Sequence, residues 1–237
     1  MNINQYFNQD DNSSFSFTRE HASAFAKDIA GDFNPLHNIE TKKFCVPGDL
    51  LFSIALSKLG VNQKMQFTFS GMVTDGISLG FSDETSDEIS VIDANDKQYM
   101  SISREGDVCR EGSLAASLAQ RYVEFSGHTF PHVLVPLMEA ENVMINPTRP
   151  LVIYENMSID LLRLDFTNPT LEITQTSLEV NGKRGRAILQ FCFKVGDEIV
   201  GHGEKRIALS GLREFDAQVI NNVVVGYDES KKAYFTT

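Results

Sequence analysis

The sequence predicts an α+β fold in which each half of the chain wraps an antiparallel sheet around a central helix. Three observations carry this. Residues 49–59 are apolar nearly all round, and a helix without a polar face has to be enclosed. The segments that follow alternate polar and apolar residues, as half-buried antiparallel strands do. From about residue 112 the same rhythm of helix and strands starts again. A chain of 237 residues suits one large domain or two of about 110 residues each. The restart favours two units, 1–110 and 111–237, joined near 104–113.

In chain order, residues 14–18 alternate as a short strand with Phe15 and Phe17 on one face. Thr18 is a helix cap, Glu20 sits in the first turn, and the helix runs to Ala30, where Gly31 ends it. Ala22, Phe25, Ala26 and Ile29 form its apolar stripe. The buried helix 49–59 is followed by strands at 65–73, 77–82, 88–92 and 98–103, separated by Asp-rich turns. In the second half, 114–125 reads as a helix and 130–141 as another, entered through Pro131. Strands follow at 151–162, 171–180, 187–195 and 199–209, with Asn181-Gly182 as a hairpin signal. Beyond Leu212 the pattern is open: 219–225 fits one more strand, and the last residues fit disorder.

The chemistry concentrates in residues 31–48. Asp32 and His37 stand five positions apart around a rigid Asn34-Pro35 step, between two helices. A carboxylate and an imidazole are the side chains best suited to moving protons near neutral pH. The free N–H groups that open the next helix can stabilise a developing oxyanion. A plain surface turn is the competing reading of the same residues.

The run Gly31-Asp32-Phe33-Asn34-Pro35-Leu36-His37 resembles the signature of the MaoC-like, or type 2, enoyl-thioester hydratases and dehydratases, which have the hot-dog fold. Val46-Pro47-Gly48-Asp49-Leu50-Leu51-Phe52-Ser53 is similar to the family's second segment. The resemblance is specific over residues 19–60, and it implies the hot-dog fold; the repeated order of elements then reads as a double hot-dog, two such units in one chain. The resemblance further implies Asp32 and His37 as catalytic groups on one water, Gly48 as the oxyanion donor and Asn34 as a supporting polar residue. Phe33, Phe44, Val46 and Leu51 would line an acyl pocket. The implied reaction is interconversion of enoyl and 3-hydroxyacyl thioesters, without a cofactor. The implied partner is an acyl thioester of coenzyme A or acyl carrier protein. The chain departs from the pattern where Pro47 replaces the usual His, and the connection from His37 to Gly48 is about one loop turn shorter. Two alternatives stay open: a non-catalytic acyl-thioester or lipid-binding protein, and a thioesterase.

The second half lacks the run. Its Ser126-Gly127-His128-Thr129-Phe130-Pro131-His132 offers two His without further ligands at metal spacing, so no metal site is expected. The net charge of -11 argues against nucleic acid and anionic membrane surfaces as partners. Lys42, Lys43 and Lys58 are the basic groups nearest the motif that could meet an anionic thioester. Cys45, Cys109 and Cys192 are odd in number and widely spaced, which fits free thiols in a reducing cytoplasm. No secretory leader or membrane-length apolar run is visible, so a cytoplasmic protein is expected, with a homodimer as a possible assembly.

Overall fold

The computed structural model describes residues 1–10 and 14–236. Its first half holds β1 (Asn8–Gln9), β2 (Phe15–Ser16), α1 (Arg19–Ala24) and α2 (Gly48–Leu59). Then come β3 (Val61–Phe69), β4 (Leu79–Phe81), β5 (Glu88–Asp93) and β6 (Gln98–Cys109). The second half begins with α3 (Gly112–Gly127), α4 (Thr129–His132), α5 (Leu134–Ala140) and β7 (Val143–Met144). It continues with β8 (Leu151–Leu161), β9 (Thr170–Asn181), β10 (Arg184–Val195), β11 (Glu198–Ser210), β12 (Arg213–Glu214) and α6 (Ala217–Thr236).

Ten of these strands form one antiparallel sheet in the order β1-β2-β4-β5-β6-β3-β8-β11-β10-β9, while β7 and β12 pair separately. The halves share the sheet through β3 and β8, in register from Lys64 opposite Asp160 to Thr68 opposite Asn156. This pairing covers two strand edges that would otherwise stay open. On the sheet's inner face lie α2 and α3, packed on each other. Leu50, Phe52, Ile54, Ala55 and Leu56 are fully buried, and each large side chain among them contributes about 1.5–3 kcal/mol.

The cap at Thr18 forms as the sequence predicts: its side chain accepts from the His21 N–H, and Gly31 closes the helix at φ 65°. The last six helical residues, Phe25–Ala30, are wound as a π-helix. Three expectations change. The helix expected over 130–141 is interrupted at Phe130, which is extended at φ -106°, ψ 133°, and α4 gives way to α5 at Val133, φ -108°, ψ -47°. Pro131 disfavours helical backbone in the residue before it. The hairpin turn sits on Gly182-Lys183, since Asn181 still pairs with Arg184. In the tail, residues 219–225 lie within α6, which runs to Thr236, and not in the strand that fits the sequence. Asp216 Oδ1 accepts from the N–H groups of Gln218 and Val219, capping the helix. Ile220, Val219 and Val223 then pack on the second core cluster, and burial at helical spacing overrides the β preference of the Val run.

One contact sets the distance between the halves at the motif. A Cβ on Gly127 would lie 1.8 Å from the Ala30 carbonyl oxygen, so α3 meets the end of the first helix backbone to backbone. Gly127→Ala is expected to destabilise the protein by about 3 kcal/mol or more, read from urea denaturation midpoints. An unchanged midpoint would contradict this close approach.

Candidate functional site

Gly31 turns the chain out of the first helix, and the Asp32 N–H still donates to the Ala26 carbonyl at 2.8 Å. Asp32 Oδ1 accepts from the Asn34 N–H at 2.9 Å, and Asn34 Oδ1 accepts from the Leu36 N–H at 3.1 Å. The two Asx turns fold residues 32–37 into a tight bend that ends on a 3-10 turn, Pro35–His37. Arg19 supports the next stretch by donating to the carbonyls of Ile39 and Thr41 while its guanidinium lies 5.0 Å over the Phe44 ring.

The bend brings Asp32 and His37 together. Asp32 Oδ2 and His37 Nε2 are 3.7 Å apart, too far for a direct hydrogen bond. His37 Nδ1 lies 2.7 Å from the Cys45 carbonyl. A carbonyl only accepts, so Nδ1 carries a proton, and in the neutral ring the free lone pair is on Nε2. Asp32 likewise has one oxygen engaged and one turned to His37. The Cys45 thiol is pushed up to about 11 by burial, which keeps it protonated near neutral pH.

Both groups line a cavity of about 550 Å³ between the two halves. Gly48 is also on its wall, at the N-terminus of α2. Phe69 and Tyr154, stacked at 4.5 Å from the two joined strands, lie so close to Gly48 that a Cβ there would come within 2.9 Å of the Tyr154 ring. Phe33, Asn34, Val46 and Leu51 line the same cavity, whereas Phe44 is buried in the core beneath Arg19 and is not part of the wall. Lys42, Lys43 and Lys58 are exposed and off the wall; Lys58 instead bonds Gln9 and lies over the Phe7 ring. His128 and His132 lie with ring centroids 6.0 Å apart.

Several wall residues were not singled out from the sequence. Asp49, Ser126, Thr129, Tyr154 and Lys205 line the cavity. Only Asp49, a charge in the first turn of a largely apolar helix, left a signal in the sequence. From α6, Tyr227 donates from Oη to the Gly31 carbonyl at 3.1 Å and accepts from the Phe33 N–H at 3.2 Å. Phe33 lies edge-on to Tyr227, Tyr234 and Phe235. Burial, with the Asp32 charge behind it, raises the Tyr227 hydroxyl to about 12.

A family model described as "Protein of unknown function (DUF3581)" matches residues 1–218. No curated protein matches the sequence. Among solved structures, the chain is similar to a hot-dog-fold protein of unknown function from Alicyclobacillus acidocaldarius. That match has TM-score 0.51 and 7% identity, and covers 89% of this chain and 98% of that one. Acyl-CoA thioesterase II TesB2 from Mycobacterium marinum matches with TM-score 0.46 and 10% identity, over 90% and 99% of the two chains. The tesB protein MAP1729c from Mycobacterium avium subs paratuberculosis matches with TM-score 0.46 and 9% identity, over 86% and 95%. What is shared with the Alicyclobacillus protein is the hot-dog fold.

Two outcomes follow from this geometry. Cys45→Ala keeps the backbone carbonyl that holds His37 and removes only a protonated thiol, so cavity binding is expected to persist. Alkylation of the half-buried Cys45 at pH 8 should be slow; rapid modification in the folded protein would contradict a thiol raised to about 11. The raised Tyr227 hydroxyl adds stability that is complete below pH 10, the ordinary tyrosine value, and is lost as pH rises towards 12. Tyr227→Phe should therefore flatten the fall in thermal midpoint across that window and lower the midpoint near neutrality through the lost bridge. A profile identical to that of the parent protein would contradict this.

Proposed function

The chain belongs to the DUF3581 family, and from that premise we propose that it is an acyl-thioester enzyme that activates one water between Asp32 and His37. The observation that carries this is the convergence of Oδ2 and Nε2 at 3.7 Å on the wall of a cavity that also holds the N-terminus of α2. The bound partners are an acyl chain and the coenzyme A or acyl carrier protein that bears it. On this reading the two halves, 1–110 and 111–237, are two hot-dog units of which the first supplies the water-activating pair.

With Nδ1 held by Cys45 and Oδ1 by Asn34, one acceptor remains on each group. A water donating one hydrogen to each acceptor turns its oxygen lone pairs to the substrate. The thioester carbonyl oxygen is placed on the Gly48 N–H, where the α2 dipole favours negative charge. In hydrolysis the water oxygen attacks the carbonyl carbon and its proton passes to the pair. The tetrahedral oxyanion then collapses and the C–S bond breaks. A thiolate leaves without an acid, because thiols ionise near pH 8.5. Hydrolysis thus needs only the groups described, and it is the preferred reading.

Hydration of an enoyl thioester is the second reading, favoured by the Asp-x-Asn-Pro-x-His run. The same water would add across the double bond, and the pair would return a proton to the carbon next to the carbonyl. Saturated and enoyl thioesters offered side by side separate the two: hydrolysis releases free thiol, and hydration removes the enoyl absorbance without releasing thiol.

In either reaction, Asp32→Asn should lower turnover by roughly 10²-fold or more, with binding and thermal midpoint little changed. His37→Ala should lose a similar factor, and the double variant far less than the product, because both act on one water. Full turnover by a well-folded Asp32→Asn protein would refute the mechanism. Absence of turnover with every thioester offered would leave a binding protein in place of an enzyme.

A further inference from the structure

Deep in the same cavity is a polar cluster that the water-activating pair does not use. Asp49 Oδ2 accepts from the Ser126 hydroxyl at 2.5 Å, and Lys205 Nζ donates to the Ser126 oxygen. The three come from α2, α3 and β11 and are all buried, with Lys205 only 5% exposed. The Lys205 ammonium also lies 4.3 Å over the Tyr154 ring. Among the described residues Ser126 is its single hydrogen-bond acceptor, so two of its three donors are unused. Asp49 Oδ1, Thr129 Oγ1 and Tyr154 Oη are buried without a protein partner. All of these residues line the cavity.

A purely structural bridge would satisfy its own atoms. This one leaves an acceptor on Asp49, donors on Lys205 and two buried hydroxyls unpaired, all on residues that line the cavity. Packing a plain alkyl chain against them would cost about 1–3 kcal/mol for each group left unpaired. Burial lowers the Lys205 ammonium and raises the Asp49 carboxyl, against their mutual attraction, so both charges gain from a hydrogen-bonding ligand.

We propose that the acyl group bound here carries an oxygen substituent near the thioester carbonyl, a hydroxyl or keto oxygen seated between Asp49 and Lys205. The position follows from the chain: Asp49 is the residue after Gly48, whose N–H is the carbonyl site, and neighbouring Cα atoms are about 3.8 Å apart. The substituent therefore sits on one of the first few acyl carbons. It is retained through the reaction and is distinct from the water that Asp32 and His37 activate. A hydroxyl there donates to Asp49 Oδ1 and accepts from Lys205; a keto oxygen uses Lys205 and a hydroxyl of Tyr154 or Thr129. This inference rests on the acyl-thioester reading above and adds the substrate class.

The test separates the two ideas by measuring binding apart from turnover. Coenzyme A analogues in which a methylene replaces the thioester sulfur cannot be hydrolysed. A matched series would be plain alkyl, or hydroxylated at the second, third or fourth acyl carbon, with affinities measured by calorimetry. At least one hydroxylated analogue should bind about 10-fold or more tighter than the alkyl one, the factor expected for a hydrogen bond to a charged group. In Asp49→Leu/Ser126→Ala/Lys205→Met, where the whole bridge becomes apolar, that preference should vanish or reverse while alkyl binding persists. Equal affinities across the wild-type series, binding of none of the analogues, or an unchanged preference in a folded triple variant would each overturn the proposal. If the triple variant does not fold, the wild-type series alone decides. Turnover of the parent thioesters is scored separately, so a failure of catalysis leaves the binding comparison intact.

Discussion

The structure depends on the enclosure of α2. Nine of its twelve residues are buried, and a helix of that kind has no stable place except between a sheet and another helix. β3 packs on it from the sheet, α3 runs against it, and β8 joins the same sheet. Of its three residues that are not buried, Ser57 and Lys58 are exposed near the C-terminus, while Gly48 lines the cavity at the N-terminus, where the backbone offers free N–H groups. The constraint that builds the core therefore also aims Gly48 and Asp49 at the cavity.

The motif bend gains its shape from both halves of the chain. Its own Asx turns set the local path, but long-range contacts hold it in place: Arg19 on the carbonyls of Ile39 and Thr41, Gly127 against Ala30, and Tyr227 across Gly31 and Phe33. Each hydrogen bond contributes only about 0.5–1.5 kcal/mol. Together they hold a carboxylate and an imidazole 3.7 Å apart. α6 matters here because a segment far along the chain closes the back of the bend.

The charge distribution sharpens the picture. The chain carries a net charge of -11, yet the basic side chain at the cavity is a buried lysine from the far half. A buried charge is costly unless it is paired and hydrogen-bonded. The Asp49–Ser126–Lys205 bridge supplies part of that pairing and leaves the rest to whatever enters.

Much of the fold was legible in the sequence because it is written in local signals. Thr18 and Gly31 bound the first helix, the apolar helix announced its burial, and alternation marked the strands, although β3 spans Val61–Phe69 where 65–73 is expected and β6 runs on to Cys109 where 98–103 is expected. Asp32, His37 and Gly48 were legible because one short run carries them. Phe44 is expected on the acyl pocket from the sequence, but a loop side chain can turn either way, and this one is buried under the Arg19 guanidinium. The tail stays open in the sequence because a Val-rich stretch has β preference by itself, and only a distant apolar surface and the Asp216 cap make it helical. Lys205, Ser126, Thr129, Tyr154 and Tyr227 carry no local signal at all. Their meeting is decided by the β3–β8 pairing and by the closeness of Gly127 to Ala30, which are contacts between residues far apart in the chain. The sequence by itself determined the elements and the motif, because hydrophobic period and capping act over a few residues. Only the tertiary structure decided the cavity and its buried polar floor, because those arise from packing one half against the other.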